Sequence, residues 1–141
     1  MFQKIVLATD GSDNAQRAAQ AAIDLAKGLS LPSIVITHIV TNPPDQSRMV
    51  KAQFDVHTLL EDDAKVALKR TIDALSHAGL SYDLKVAIGD PSVEIVGIVT
   101  KEKADLVIIG SRGLGALKGV LLGSVSQKIA MAAPCPVMIV K

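Results

Sequence analysis

Five short β-prone runs are spaced widely along the chain, and a segment of different periodicity lies between each pair. They are Ile5-Val6-Leu7-Ala8, then Ser33 to Val40, Tyr82 to Ile88, Leu106-Val107-Ile108-Ile109, and Val137-Met138-Ile139-Val140. Most are continuously apolar or β-branched rather than alternating, the mark of strands buried on both faces of a parallel sheet. The intervening segments read as helices. From Ser12 to Lys27, the residues Ala15, Ala18, Ala19, Ala22, Ile23 and Ala26 recur at helical spacing, with Gly28 at the expected end. Val56, Leu59, Leu60, Ala64, Ala67, Leu68, Ile72 and Leu75 make the apolar stripe of one long helix that stops before Gly79. Asp90-Pro91 supplies an N-cap and a first-turn proline for a third helix. Ser124-x-x-Gln127 is a capping-box pattern that opens a fourth, and Pro134-Cys135-Pro136 closes it. Thr41 to Ser47 is polar and proline-rich, which predicts a loop long enough to act as a lid. The order βαβαβαβαβ, with right-handed crossovers, leads to an α/β doubly wound open sheet with helices on both faces.

No internal repeat or composition boundary interrupts this alternation, so residues 1–141 are expected to form a single domain. Lys plus Arg is 15 and Asp plus Glu is 14, a net charge of +1. That balance argues against sequence-independent nucleic-acid binding, which needs a strong positive footprint. Phe2, Phe54 and Tyr82 are too few aromatics for a base-stacking platform. The longest apolar runs, such as Ile95 to Val99, fall far short of the roughly 20 residues that span a bilayer, and Met1 leads into the first strand without a signal-like region. The single cysteine, Cys135, allows no intrachain disulfide, so the expectation is a cytoplasmic protein with neither nucleic acid nor membrane as partner.

In an open parallel sheet, ligands bind beyond the carboxyl ends of the strands, where the strand order reverses. Thr9, Asp10, Gly11 and Ser12 follow the first strand. Gly110 to Ser124 follows the fourth and holds five of the ten glycines. Glycines between a strand and a helix let backbone approach a phosphate, and the helix N-terminus adds free amides and a positive dipole end. Two better-known glycine motifs do not fit. No G-x-x-x-x-G-K-[ST] string occurs, and Gly113-x-Gly115 is followed by Lys118 where a dinucleotide fingerprint needs glycine.

The spacing that does occur, Gly110-x2-Gly113-x9-Gly123-Ser124, resembles the G-x2-G-x9-G-[S/T] motif of the ATP-binding subgroup of the universal stress protein family. The start, Lys4 to Ser12, resembles that family's first strand and acidic turn, and Pro134 to Val140 resembles its last strand, so the likeness runs the length of the chain. It implies an adenine-nucleotide α-hydrolase-like fold with strand order 3-2-1-4-5. It also implies ATP as the bound cofactor, with Mg2+ held indirectly by Asp10. By position, Ala8, Thr9 and Asp10 match contacts on the adenine and ribose side, Ile39 packs on adenine, and Gly110 lies by the ribose. Gly113, Gly123, Ser124 and Val125 line the phosphates, and Arg112 inside the loop adds a charge-assisted contact. The family implies a homodimer through the last strand, Val137 to Val140, which would otherwise be an open edge.

The functional expectation is a stress-response protein that uses bound ATP as a sensor or switch. Two alternatives are a slow ATPase and a nucleotide-independent chaperone or interaction protein. No residue is assigned a catalytic role. His38 is expected to be a packed or hydrogen-bonded histidine rather than a base. His57 and His77 share no metal-ligand spacing with each other or with Cys135. Ser12 is expected to cap a helix, because no histidine pairs with it as with an activated nucleophile.

Overall fold

The computed structural model describes residues 2–111 and 122–141. Five parallel strands, β1 (Ile5–Ala8), β2 (Ser33–Val40), β3 (Ser81–Ile88), β4 (Leu106–Gly110) and β5 (Val137–Val140), form one sheet in the order β3-β2-β1-β4-β5. Both the expected class and the expected strand order are present. The order reverses between β1 and β4, so the crevice at that switch point opens above the ends of these two strands.

Successive residues of β1 serve opposite cores, as the two-residue period of a strand requires. Ile5 and Leu7 join Ile34, Ile36, Leu106 and Ile108 beneath α1 (Gln16–Gly28), α3 (Val56–Ala67) and α4 (Lys69–His77). Val6 and Ala8 join Val35, Val107 and Ile109 beneath α5 (Pro91–Lys101) and α6 (Ser124–Ala132). Alanines dominate the buried face of α1, at positions 18, 19, 22 and 26, and small side chains let a helix lie close on a sheet.

The first four helices depart from expectation in three places. The stretch from Val56 to Leu75 is two helices, broken at Leu68 (φ −101°, ψ 15°). Its periodicity runs through the joint, so the side chains alone do not betray the break. The proline-rich connection after β2 contains a short helix, α2 (Gln46–Lys51), capped by Asp45, whose carboxylate accepts from the Arg48 amide at 2.9 Å. Arg48 then reaches across to Asp63 of α3 with two hydrogen bonds of 2.8 and 2.7 Å. Finally, α1 begins at Gln16 rather than Ser12, after a tight turn in which the Ala15 amide donates to the carbonyl (3.1 Å) and hydroxyl (3.2 Å) oxygens of Ser12. Asp90 and Pro91 open α5 as expected, with the Asp90 carboxylate accepting from the Ser92 amide. Among the described residues, no helix is long and apolar enough to cross a membrane.

Candidate functional site

Register places the strand ends side by side. Ala8 pairs with Thr37 on β2 and with Ile109 on β4. One residue further on, Thr9, His38 and Gly110 therefore stand together at the top of the sheet, and Asp10, Ile39 and Ser111 follow them.

The β1 end is shaped by its own side chains. The Thr9 amide still donates to the Thr37 carbonyl at 3.1 Å. Beyond it the chain leaves the sheet through two local turns. The Thr9 hydroxyl accepts from the Gly11 amide (3.1 Å), and the Asp10 carboxylate accepts from the Ser12 amide (2.9 Å). Short polar side chains that bind backbone two residues on are the usual makers of such turns. Gln16 ties the turn to α1 by donating to the carbonyls of Gly11 (3.3 Å) and Ser12 (3.1 Å), and its own oxygen accepts from the Thr71 hydroxyl of α4 (3.3 Å). Asp10 is thus held half-buried at the mouth of the crevice.

His38 braces the same turn from β2. Its Nδ1 lies 3.1 Å from the Thr9 carbonyl oxygen. A carbonyl can only accept, so Nδ1 carries the proton and donates. His38 therefore acts as a hydrogen-bonded support for the β1 end, the non-catalytic of its two sequence readings. Ile39, the next residue, packs on the core beneath α5 and α6, as do Ala8 and Val125. These side chains form an apolar floor.

At the β4 end, the Ser111 amide continues the ladder by donating to the Val140 carbonyl at 2.8 Å. The Ser111 carbonyl accepts from the Gly123 amide at 2.6 Å, and the Gly110 carbonyl accepts from the Ser126 hydroxyl at 2.8 Å. These bonds draw the start of α6 against the end of β4. Gly123 is the N-cap of α6 and has an extended backbone (φ −71°, ψ 159°), and among the described residues no side chain caps the helix. This corrects the capping-box reading. The Gln127 amide donates to the carbonyl of Gly123, not of Ser124, so Ser124 is already the first helical residue. Gln127 instead turns its side-chain amide to the Leu122 carbonyl at 3.3 Å. The first-turn amides of an α-helix have no partner within the helix and carry the positive end of its dipole.

Of the residues singled out from the sequence, Ala8, Thr9, Asp10, Ile39, Gly110, Gly123, Ser124 and Val125 fall along this one edge of the sheet. Arg112, Gly113 and Lys118 lie outside the described residues. The sequence reading missed Ser126 and Gln16. The Ser126–Gly110 and Gln16–Thr71 bonds join residues distant in the chain, although Gln16 also bonds nearby Gly11 and Ser12 and Ser126 shares a helix face with the buried Ile129. Other candidates lie apart. His57 pairs with Glu61 at 2.9 Å on α3, and His77 approaches the Asp73 carbonyl at 2.7 Å on α4, both on exposed surface. Burial pushes the Cys135 thiol above its usual pKa, and the Asp105 charge adds to the effect. Among the described residues, no three His, Cys, Asp or Glu side chains gather as a metal site would need.

Among the described residues, the edge therefore offers apolar side chains, the Asp10 carboxylate and the N-terminus of α6. Those are the complements of a flat ring, of hydroxyl groups and of an anion.

Comparison with known proteins gives the same direction. The sequence profile described as the universal stress protein family matches residues 1–141. A universal stress protein of Thermus aquaticus is 37% identical over 142 residues, covering 100% of this chain and 100% of its own length. One from Methanocaldococcus jannaschii is 33% identical, covering 100% of this chain and 83% of its own. Among solved structures, a universal stress protein in complex with cAMP superposes with a TM-score of 0.74 at 28% identity, covering 99% of this chain and 97% of that one.

Proposed function

The chain belongs to the universal stress protein family, and from that premise we propose that it is a cytoplasmic ATP-binding stress-response protein that works as a nucleotide-dependent switch. One observation carries the reading. The β1 turn bearing Asp10 and the N-terminus of α6 lie on either side of the crevice where the strand order reverses. Adenine rests on Ile39 beside Ala8 and Thr9, and the ribose hydroxyls lie between Asp10 and Gly110. The phosphates meet the amides of Gly123, Ser124 and Val125. The cAMP complex of a relative supports an adenine nucleotide as the ligand class.

The donor set fits Mg2+ only in part. Asp10 contributes one carboxylate, already bound to the Ser12 amide through one oxygen. Mg2+ commonly takes one or two protein carboxylates and completes its shell with phosphate oxygens and water. Asp10 would hold such an ion indirectly, and the ion would supply neutralisation of phosphate charge.

One domain of 141 residues carries the activity, and two copies join through β5. That strand is a sheet edge with apolar Val137, Met138, Ile139 and Val140 along it, a template for pairing with a second chain. The cytoplasmic assignment is supported by the lone cysteine.

The test is calorimetric titration of nucleotide-stripped protein with ATP, AMP and GTP in Mg2+. Saturable binding of adenine nucleotides, weakened in Asp10→Ala, is expected. Absence of binding by the unmutated protein would refute the reading. Hydrogen exchange over residues 110–123 with and without ATP tests the switch, and identical exchange would refute that part alone.

A further inference from the structure

We propose that Ser126 is a positioning residue for the phosphate site, because its buried hydroxyl locks the first turn of α6 onto the end of β4. This inference rests on the nucleotide reading above and deepens it.

Ser126 is the third residue of α6, a place where polar side chains usually face water or cap the helix. Here the side chain is 3% exposed. It points at the sheet, on the same face as Ile129 one turn later, which is fully buried. Its hydroxyl donates to the Gly110 carbonyl at 2.8 Å, and the Ser111 carbonyl stands further off at 3.4 Å. A hydroxyl carries a single proton, so Gly110 is the main acceptor. The Ser111 carbonyl takes its own bond from the Gly123 amide at 2.6 Å. Two successive carbonyls at the end of β4 are thus occupied by the N-cap and the third residue of α6.

The two bonds constrain different freedoms. The bond from Gly123 fixes where the helix starts. The bond from Ser126, three residues on, fixes its rotation about that point. Between them lie Ser124 and Val125, whose amides are the anion donors. A phosphate gains most from amides that already aim at it before binding, since ordering them afterwards costs affinity. Ser126 touches no ligand in this arrangement; it sets the direction of the groups that do.

The experiment compares ATP with adenosine, which shares the ring and ribose but has no phosphate. In Ser126→Ala, ATP affinity is expected to fall about tenfold, the order of the cost of ordering the amides on binding, while adenosine affinity stays within about twofold. Ser126→Thr keeps the donor and is expected to keep the ratio of the two affinities. Equal losses for ATP and adenosine in Ser126→Ala would overturn the proposal by reducing Ser126 to a structural staple. Unchanged ATP affinity would overturn it too. A second measurement needs no variant. The Gly123 amide is expected to exchange slowly in nucleotide-free protein, and rapid exchange would show that the helix start is not locked in advance. Failure of the unmutated protein to bind ATP would be seen before any variant is compared, and would refute the nucleotide reading itself.

Discussion

Gly11 and Ala67 meet backbone to backbone. A β-carbon built on Gly11 would overlap the Ala67 carbonyl oxygen and stand 3.1 Å from the carbonyl carbon and 3.3 Å from Leu68 Cδ2. Gly11 also has φ +77°, in the region that favours glycine. The turn that carries Asp10 is therefore seated on the α3–α4 joint, and the helix breaks at the residue after the contact.

Gly11→Ala meets both obstacles at once. Left-handed backbone costs a non-glycine residue about 1–2 kcal/mol, and forced overlap in a packed site adds about 1–3 kcal/mol. Chemical denaturation is expected to show a loss of about 2–4 kcal/mol, the low to middle part of that combined range. A loss below about 0.5 kcal/mol, the size of an ordinary surface change, would mean that the turn is not seated as described.

Thr37 carries the opposite opportunity. It is 1% exposed, and among the described residues its hydroxyl has no hydrogen-bond partner. It follows Val35 by two residues and so faces the layer of α5 and α6. An unpaired buried hydroxyl costs about 1–3 kcal/mol. Thr37→Val keeps the shape and removes that group, so the melting temperature is expected to rise. An unchanged or lower value would show that the hydroxyl has a partner in solution.

Three helix ends use a left-handed residue that is not glycine. After α1, the Ser30 amide donates to Lys27 and the Leu31 amide to Ala26, with Ser30 at φ 57°. Lys103 (φ 53°) closes α5 and Gln53 (φ 53°) closes α2 by the same pair of bonds. Only α4 places glycine there, at Gly79 among these four ends. Ser30 is exposed, so Ser30→Gly is expected to stabilise by up to about 1 kcal/mol in denaturant titration. Destabilisation would contradict the assigned closure.

Acid is expected to release α2 first. The Arg48 guanidinium holds the Asp63 carboxyl below its ordinary pKa, and the Arg48 amide does the same for Asp45 at the N-cap. Both folded-state values lie below the unfolded ones. The stabilisation is therefore complete above about pH 4 and is lost as pH falls through the folded-state values. Amide shifts of residues 46–51, followed by NMR, should move at acid pH before those of α1. Asp63→Asn should remove most of the Arg48 contribution at neutral pH. Concerted movement of α1 and α2 would argue against a separate latch.

β1 and β4 were legible because burial on both faces writes itself as an uninterrupted apolar run, whereas β3 was legible from its alternation. The Asp90-Pro91 helix start was legible for a similar reason, since cap and proline act within two residues of each other. The glycine spacing from Gly110 to Ser124 pointed to the carboxyl end of β4, where Gly110, Gly123 and Ser124 lie. Strand order came only through the family resemblance, because apolar runs do not say which neighbour they pair with.

Tertiary structure decided the rest. Leu68 fits the apolar stripe perfectly well, and the break there coincides with Gly11, more than fifty residues away in the chain. The N-cap of α6 fell on Gly123 rather than Ser124 where the Ser111 carbonyl takes the Gly123 amide. The hydrogen bond of His38 to Thr9 joins residues 29 apart, and that of Ser126 to Gly110 joins residues 16 apart. Periodicity and caps are written in near neighbours, so sequence alone determined the five strands and most of the helices between them. Hydrogen bonds between distant segments exist only once the sheet has brought them together, and those bonds determine where Asp10 and the α6 amides point.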